Sequence, residues 1–175
     1  MKFVYKGLSW LVALILAVVI VLSVVRLMIN PWYLEIEYRT PGFPADSYGF
    51  NLQDRLNYGR IAVEYLVNSA GIDFLGDLRL PAGQQVPEPS CQYMSDCTHL
   101  YNDRELEHML DVKNVVRGAM WVAEIGFLLL VLLAVWAWRG NWLEAYLKGL
   151  ERGGILVIIL IGVIILLVVA AFNFI

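Results

Sequence analysis

The sequence predicts a mainly α, polytopic helical membrane protein: three transmembrane helices, with a small α+β extracytoplasmic domain between the first and second. Composition is the first observation behind this. Of 175 residues, 59% are hydrophobic and 17% charged, and the apolar residues are bunched into long runs instead of being spread periodically. The second is run length. Residues 7–27, 119–138 and 154–172 each come near the roughly 20 helical residues that cross a hydrocarbon core of about 30 Å. The third is the contrast between these runs and the stretch separating the first two, which is polar, turn-rich and acidic.

Residues 7–27 form the first span. Lys2 and Lys6 precede it as they would precede a signal peptide, but the run exceeds a usual signal core and no small-x-small cleavage pattern follows, so it reads as a retained anchor. Basic residues give the orientation. Lys2 and Lys6 lie before the first span, and Arg139, Lys148 and Arg152 lie in 139–153, the expected loop between the second and third. Both segments are expected on the cytoplasmic side of the membrane. Residues 30–118 carry seven Lys or Arg against thirteen Asp or Glu and are expected outside.

Within 30–101, the expected extracytoplasmic domain, "WYLEIEYRT" alternates Leu34, Ile36 and Tyr38 with Glu35, Glu37 and Arg39, the pattern of a half-buried strand, broken by "PGFP". From Asn51 the pattern turns helical. Asn51 stands at a cap position with Asp54 three residues later, Leu52, Leu56, Ala62, Val63 and Leu66 recur at helical spacing, and Gly71 is the expected C-terminal cap. "GDLRLPAG" reads as a short second strand, and "PAGQQVPEPS" as a loop leading to the two cysteines of the chain. Cys91 and Cys97 fall together where oxidation is allowed and are expected to form a disulfide loop. A zinc site recruiting His99 would lack a fourth ligand, so no metal is expected.

Residues 102–138 read as one helix that begins outside and becomes the second span. Asn102 followed three residues later by Glu105 gives a capping-box start, and nothing breaks the pattern before Gly118. His108 stands on the polar part. At 100° per residue, Arg104, Asp111, Val112, Val115 and Ala119 share its face within about 60°. On such a helix a histidine is ordinarily a solvated or structural side chain. A histidine held by a carboxylate is also a general base, since its unperturbed pKa near 6.5 lets it take a proton at neutral pH. No GxSxG or HExxH appears, which disfavours a serine hydrolase or a zinc peptidase. Glu124 lies inside the second span, where a carboxylate costs about 2.5–3.5 kcal/mol, and Arg26, near the outer end of the first span, is its expected partner in a structural ion pair. Trp10, Trp32, Tyr33, Trp121, Trp136, Trp138 and Trp142 cluster near span ends as interfacial anchors.

The run "YNDRELEHMLDVK", with "NPW", "EYRTPGFPADSYGF" and "LNYGRIAVEYLVNSAGIDFLGDLRLP" before it, resembles the bacterial integral membrane family that includes lipoprotein intramolecular transacylase (Lit). The likeness runs from the first span through the second. It implies an acyltransferase, needing no cofactor, that moves the sn-2 acyl chain of a lipoprotein's diacylglyceryl cysteine to that cysteine's own α-amino group, giving a lyso-lipoprotein. The substrate implied is a membrane lipid joined to a protein N-terminus; nucleic acid has no part. His108 falls on the family's catalytic histidine. Asp111, Arg104 and Tyr101 are the expected helpers, and Asn102, Glu105, Met109 and Lys113 are matching positions without an assigned role.

The resemblance also implies a Phe-rich segment with a second histidine and a further span beyond 154–172, whereas the sequence stops at "AAFNFI". Either the chain has lost part of the site or it manages with His108. The loop bearing the cysteines reads as an insertion. The rival reading is a non-catalytic membrane assembly or receptor subunit with an extracytoplasmic binding domain, its further span supplied by a partner chain.

Overall fold

The computed structural model describes residues 2–46, 49–81, 86, 90–94 and 96–172. Its elements are six α-helices, α1 (Lys2–Met28), α2 (Pro31–Tyr38), α3 (Leu52–Val67), α4 (Asp73–Gly76), α5 (Asp103–Arg139) and α6 (Leu143–Phe172), with one 3₁₀ turn at Ser90–Tyr93. Three of them, α1, α5 and α6, are long and apolar enough to cross a membrane. The chain divides into two compact units, Met1–Val25 with Ala119–Ile175, and Arg26–Gly118.

In the first unit, α1 and α6 approach closely because α6 presents glycines four residues apart. A β-carbon at Gly149 would lie 2.7 Å from the Ser9 carbonyl oxygen and 2.8 Å from Val12 Cβ; one at Gly153 would lie 2.8 Å from the Ala13 carbonyl oxygen. Gly126 of α5 meets Val19 of α1 in the same way, at 2.7 Å. Small residues let helix backbones come together where lipid removes the hydrophobic drive to associate. Val12, Val19, Leu130, Ala137, Trp142 and Tyr146 form the core. The Tyr146 hydroxyl donates to the Leu130 carbonyl at 3.1 Å. Much of 139–153, expected as a loop, is helix: α6 starts at Leu143, its first turns carried by the Glu144–Lys148 pair at 2.7 Å and by Gly149 packing. The reversal needs only Gly140, Asn141 and Trp142, with Asn141 at φ 55°, a left-handed conformation that asparagine tolerates.

The second unit is helical where strands were expected. Among the described residues no strand is present, so the α+β expectation is corrected to an all-helical unit with irregular connections. "WYLEIEY" is α2. Asn30 caps it in extended geometry, its side chain accepting from the Trp32 N–H at 3.4 Å, and Pro31 stands at the first helical position, where its missing N–H costs nothing. The Glu35–Arg39 pair then fits one helical turn. This cap outweighs the period-two alternation. The second expected strand reduces to a single bridge between Arg79 and His99, flanked by Leu80 N–H to Thr98 O at 2.7 Å and Leu100 N–H to Leu78 O at 2.9 Å.

Helix α3 begins as expected, with a full capping box between Asn51 and Asp54. It ends earlier than Gly71. Asn68 is the C-cap, and its side chain accepts from the Ala70 N–H at 3.0 Å, a local turn that competes with another helical residue. Helix α2 lies on α3 at Gly59, where a β-carbon would stand 3.1 Å from Leu34 and 3.6 Å from Tyr38. The expected Cys91–Cys97 disulfide is present, beside a cluster of Leu80, Val86 and Leu100. Val86 N–H donates to the Cys97 carbonyl at 3.0 Å, which ties residue 86 to one end of the bridged segment.

Candidate functional site

The start of α5 is defined by reciprocal bonds. Glu105 N–H donates to Asn102 Oδ1 and Asn102 N–H to Glu105 Oε2, both at 2.9 Å. Two of the donors that a helix start leaves orphaned are thereby satisfied, and the carboxylates of Asp103 and Glu105 stand in the first turn, where the helix dipole favours them. Asn102 and Glu105, matched in the sequence without a role, thus set where α5 starts and where the residues of its first two turns point.

A cavity of about 440 Å³ opens beside those turns, lined by Tyr101, Asn102, Arg104, Glu105, His108 and Met109. Six of the eight residues singled out in this stretch therefore meet around one space. His108 and Arg104 are exposed there, while Tyr101 is half-buried. Burial, then the neighbouring Glu105 carboxylate and Tyr38, hold the Tyr101 phenol above its ordinary value, so it remains an O–H donor at neutral pH. An imidazole, a guanidinium and a protonated phenol around one space supply a proton acceptor and two kinds of donor for a developing oxyanion.

Asp111 and Lys113 are not brought to that cavity. Asp111 is exposed on α5, and the hydrogen bonds and ion pairs of the described residues do not join it to His108. Lys113 points elsewhere entirely. It is 2% exposed, donates to the Ala70 carbonyl at 2.7 Å and to Asn68 Oδ1 at 3.1 Å, and its ammonium stands 3.8 Å from the centre of the Tyr65 ring. It fastens α5 to the end of α3. The expected pair of Arg26 and Glu124 joins residues of the two different units and stays a proposal; Arg26 Nη1 donates to the Ile29 carbonyl at 3.0 Å.

A second, larger cavity, about 600 Å³, was not legible in the sequence. Tyr38, Phe43, Phe50, Tyr58, Gly59 and Leu100 give it largely apolar walls, and Tyr101 and Glu105 line it as well as the histidine cavity. Arg55 shapes one side by donating to the Pro44 carbonyl at 2.9 Å and the Phe50 carbonyl at 3.3 Å, with its guanidinium 5.7 Å from the Phe43 ring centre. The signal available was the density of aromatic residues in "EYRTPGFPADSYGF" and "LNYG", which says nothing about a shared wall until α2, α3 and the start of α5 are folded together.

Fold and site together define a multi-pass helical membrane protein with a histidine-bearing cavity at the start of its longest helix. The sequence matches the family described as lipoprotein intramolecular transacylase Lit over residues 10–175. The chain belongs to that family. A protein of Aquifex aeolicus (strain VF5), described as uncharacterized, is 26% identical over 124 residues, covering 66% of this chain and 50% of that protein. The chain thus spans about half the length of this relative. No solved structure matches it.

Proposed function

We propose that the protein moves the sn-2 acyl chain of a diacylglyceryl-cysteine lipoprotein to the α-amino group of the same cysteine. The observation that carries this reading is the gathering of His108, Arg104 and Tyr101 around one cavity in a chain of this family. His108 accepts a proton from the amine as its nitrogen attacks the ester carbonyl. A C–N bond forms, the C–O bond to the glyceryl oxygen breaks, and the proton returns to that oxygen, leaving an amide and a free hydroxyl. Arg104 and Tyr101 donate to the oxyanion of the tetrahedral intermediate. Because nucleophile and ester belong to one substrate, proximity supplies effective molarities of about 10⁵ M or more, and the enzyme needs no nucleophile of its own.

The reading places Lys2, Lys6, Arg139, Lys148 and Arg152 on the cytoplasmic side and residues 30–118 outside, in agreement with the distribution of positive charge. The larger apolar cavity, which shares Tyr101 and Glu105 with the first, is suited to an acyl chain. The experiment is expression in cells that carry diacyl lipoproteins, followed by mass spectrometry of lipoprotein N-terminal peptides. N-acylated, S-monoacyl peptides are expected from the parent chain and not from the His108→Gln variant; the same products from both would remove His108 from the reaction.

A further inference from the structure

A separate cavity, of about 400 Å³, lies within the first unit, where α1 begins and the α5–α6 connection turns. Its walls include Lys6, Ser9, Trp142, Glu144, Lys148 and Arg152. Three cations face one carboxylate, so the lining carries two net positive charges. Glu144 engages Lys148 at 2.7 Å. Arg152 is positioned by Ser9, to whose hydroxyl it donates at 3.0 Å, and by the Trp10 ring, 5.1 Å from its guanidinium carbon. Tyr5 stacks on Trp142 at 6.2 Å between ring centroids.

The chemistry of the walls is that of a phosphate site at a membrane surface. Trp142 is 3% exposed, yet its buried Nε1–H has no acceptor among the described residues, although a buried indole ordinarily finds one. Arg152 keeps further N–H donors beyond the one given to Ser9, since a guanidinium has five. Basic pockets between membrane helices on the positively charged side bind anionic headgroups, and the aromatic rings Tyr5 and Trp142 suit the apolar glycerol and upper acyl region.

We infer that this cavity binds the phosphodiester headgroup of an anionic phospholipid, held by Lys6, Lys148 and Arg152. The lipid would clamp the start of α1 to the first turns of α6. This assignment is independent of the acyl-transfer reading, because none of its residues belongs to the histidine cavity.

The test is native mass spectrometry of the full chain purified in dodecyl maltoside, with phosphatidylglycerol, phosphatidylcholine of matched acyl chains, or inorganic phosphate added. Phosphatidylglycerol is expected to stay bound at roughly 25-fold lower concentration than phosphatidylcholine, since each of the two net positive charges of the lining contributes about a fivefold gain for an anionic lipid. Lys6→Gln and Arg152→Gln should each weaken phosphatidylglycerol binding about fivefold and phosphatidylcholine binding less, because the choline cation offsets the charge of its phosphodiester. Arg152→Gln also breaks the contact with Ser9, so Lys6→Gln, an exposed position, decides the matter where the first variant fails to fold. Equal retention of the two lipids, or a folded Lys6→Gln protein that binds phosphatidylglycerol as the parent does, would overturn the proposal. So would an inorganic phosphate adduct that forms without lipid and displaces phosphatidylglycerol at millimolar concentration.

Discussion

The ammonium of Lys113 donates to the carbonyl of Ala70, 43 residues earlier in the chain, at 2.7 Å, and does so from a site 2% exposed to solvent. A cation here satisfies the backbone just after α3 and the Asn68 side chain that ends that helix. Replacing it leaves the Ala70 carbonyl without this donor and Asn68 Oδ1 with the Ala70 N–H alone. Lys113→Ala is expected to destabilise the protein by about 1.5–3 kcal/mol, the range for a hydrogen bond made by a charged group, measured by thermal unfolding in detergent. Acyl transfer per folded molecule should persist; its loss at unchanged stability would move Lys113 into the chemistry.

His108 and Asp111 are separable by rate. Loss of a general base ordinarily costs about 10² to 10⁴, so His108→Gln should fall by that much. Asp111 does not line the cavity, and Asp111→Asn should cost less than tenfold if it acts only through the local field at the imidazole. A loss equal to that of the histidine would make Asp111 an essential partner.

Close helix approach makes Gly149 sensitive and Gly162 indifferent. A β-carbon at Gly149 would fall 2.7 Å from a backbone oxygen of α1, whereas one at Gly162 meets nothing within 4 Å. Gly149→Val is expected to lower stability by about 1–3 kcal/mol, as overpacking does, and Gly162→Val to leave the melting temperature nearly unchanged. Equal effects would show that α1 and α6 do not pack through these residues.

Asp96 gives the second unit an acid-sensitive latch. Hydrogen bonds from the Thr98 side chain and backbone, and the Arg79 guanidinium, hold its carboxyl well below the usual range. A depressed folded-state pKa means that the stabilisation is complete above the ordinary value of about 3.9 and is lost as pH falls below it. Limited proteolysis between pH 6 and pH 3 should show the 96–99 region opening at the acid end. Asp96→Asn should be cut more readily at pH 6 and show a weaker pH dependence; a pH profile identical to the parent's would exclude the latch.

Orientation is read by fusion. A periplasmic-active reporter after Gly83 should be active, and one after Asn141 inactive, if the positive charges lie inside. The opposite pattern would put His108 in the cytoplasm and end the acyl-transfer proposal.

What the sequence determined by itself is whatever acts over a few residues. The three apolar runs, the capping boxes at Asn51–Asp54 and Asn102–Glu105, and the Cys91–Cys97 bridge were all readable, because a span, a cap or a short disulfide loop is written locally. The helix at "WYLEIEY" was readable in part. Asn30 and Pro31 carried the helix signal, but alternation of apolar and charged residues pointed the other way, and eight residues are too few for periodicity to arbitrate. Tertiary structure decided the rest. Lys113 and Ala70, Gly149 and Ser9, and the meeting of Tyr101 and Glu105 with Tyr38, Phe50 and Tyr58 around the larger cavity all join residues far apart in the chain. Such contacts leave no local pattern, since they depend on which faces meet after the helices have formed. His108 is the local case: the residues lining its cavity all lie within 101–109, so both its face and its company follow from the cap and the helical spacing at the start of α5.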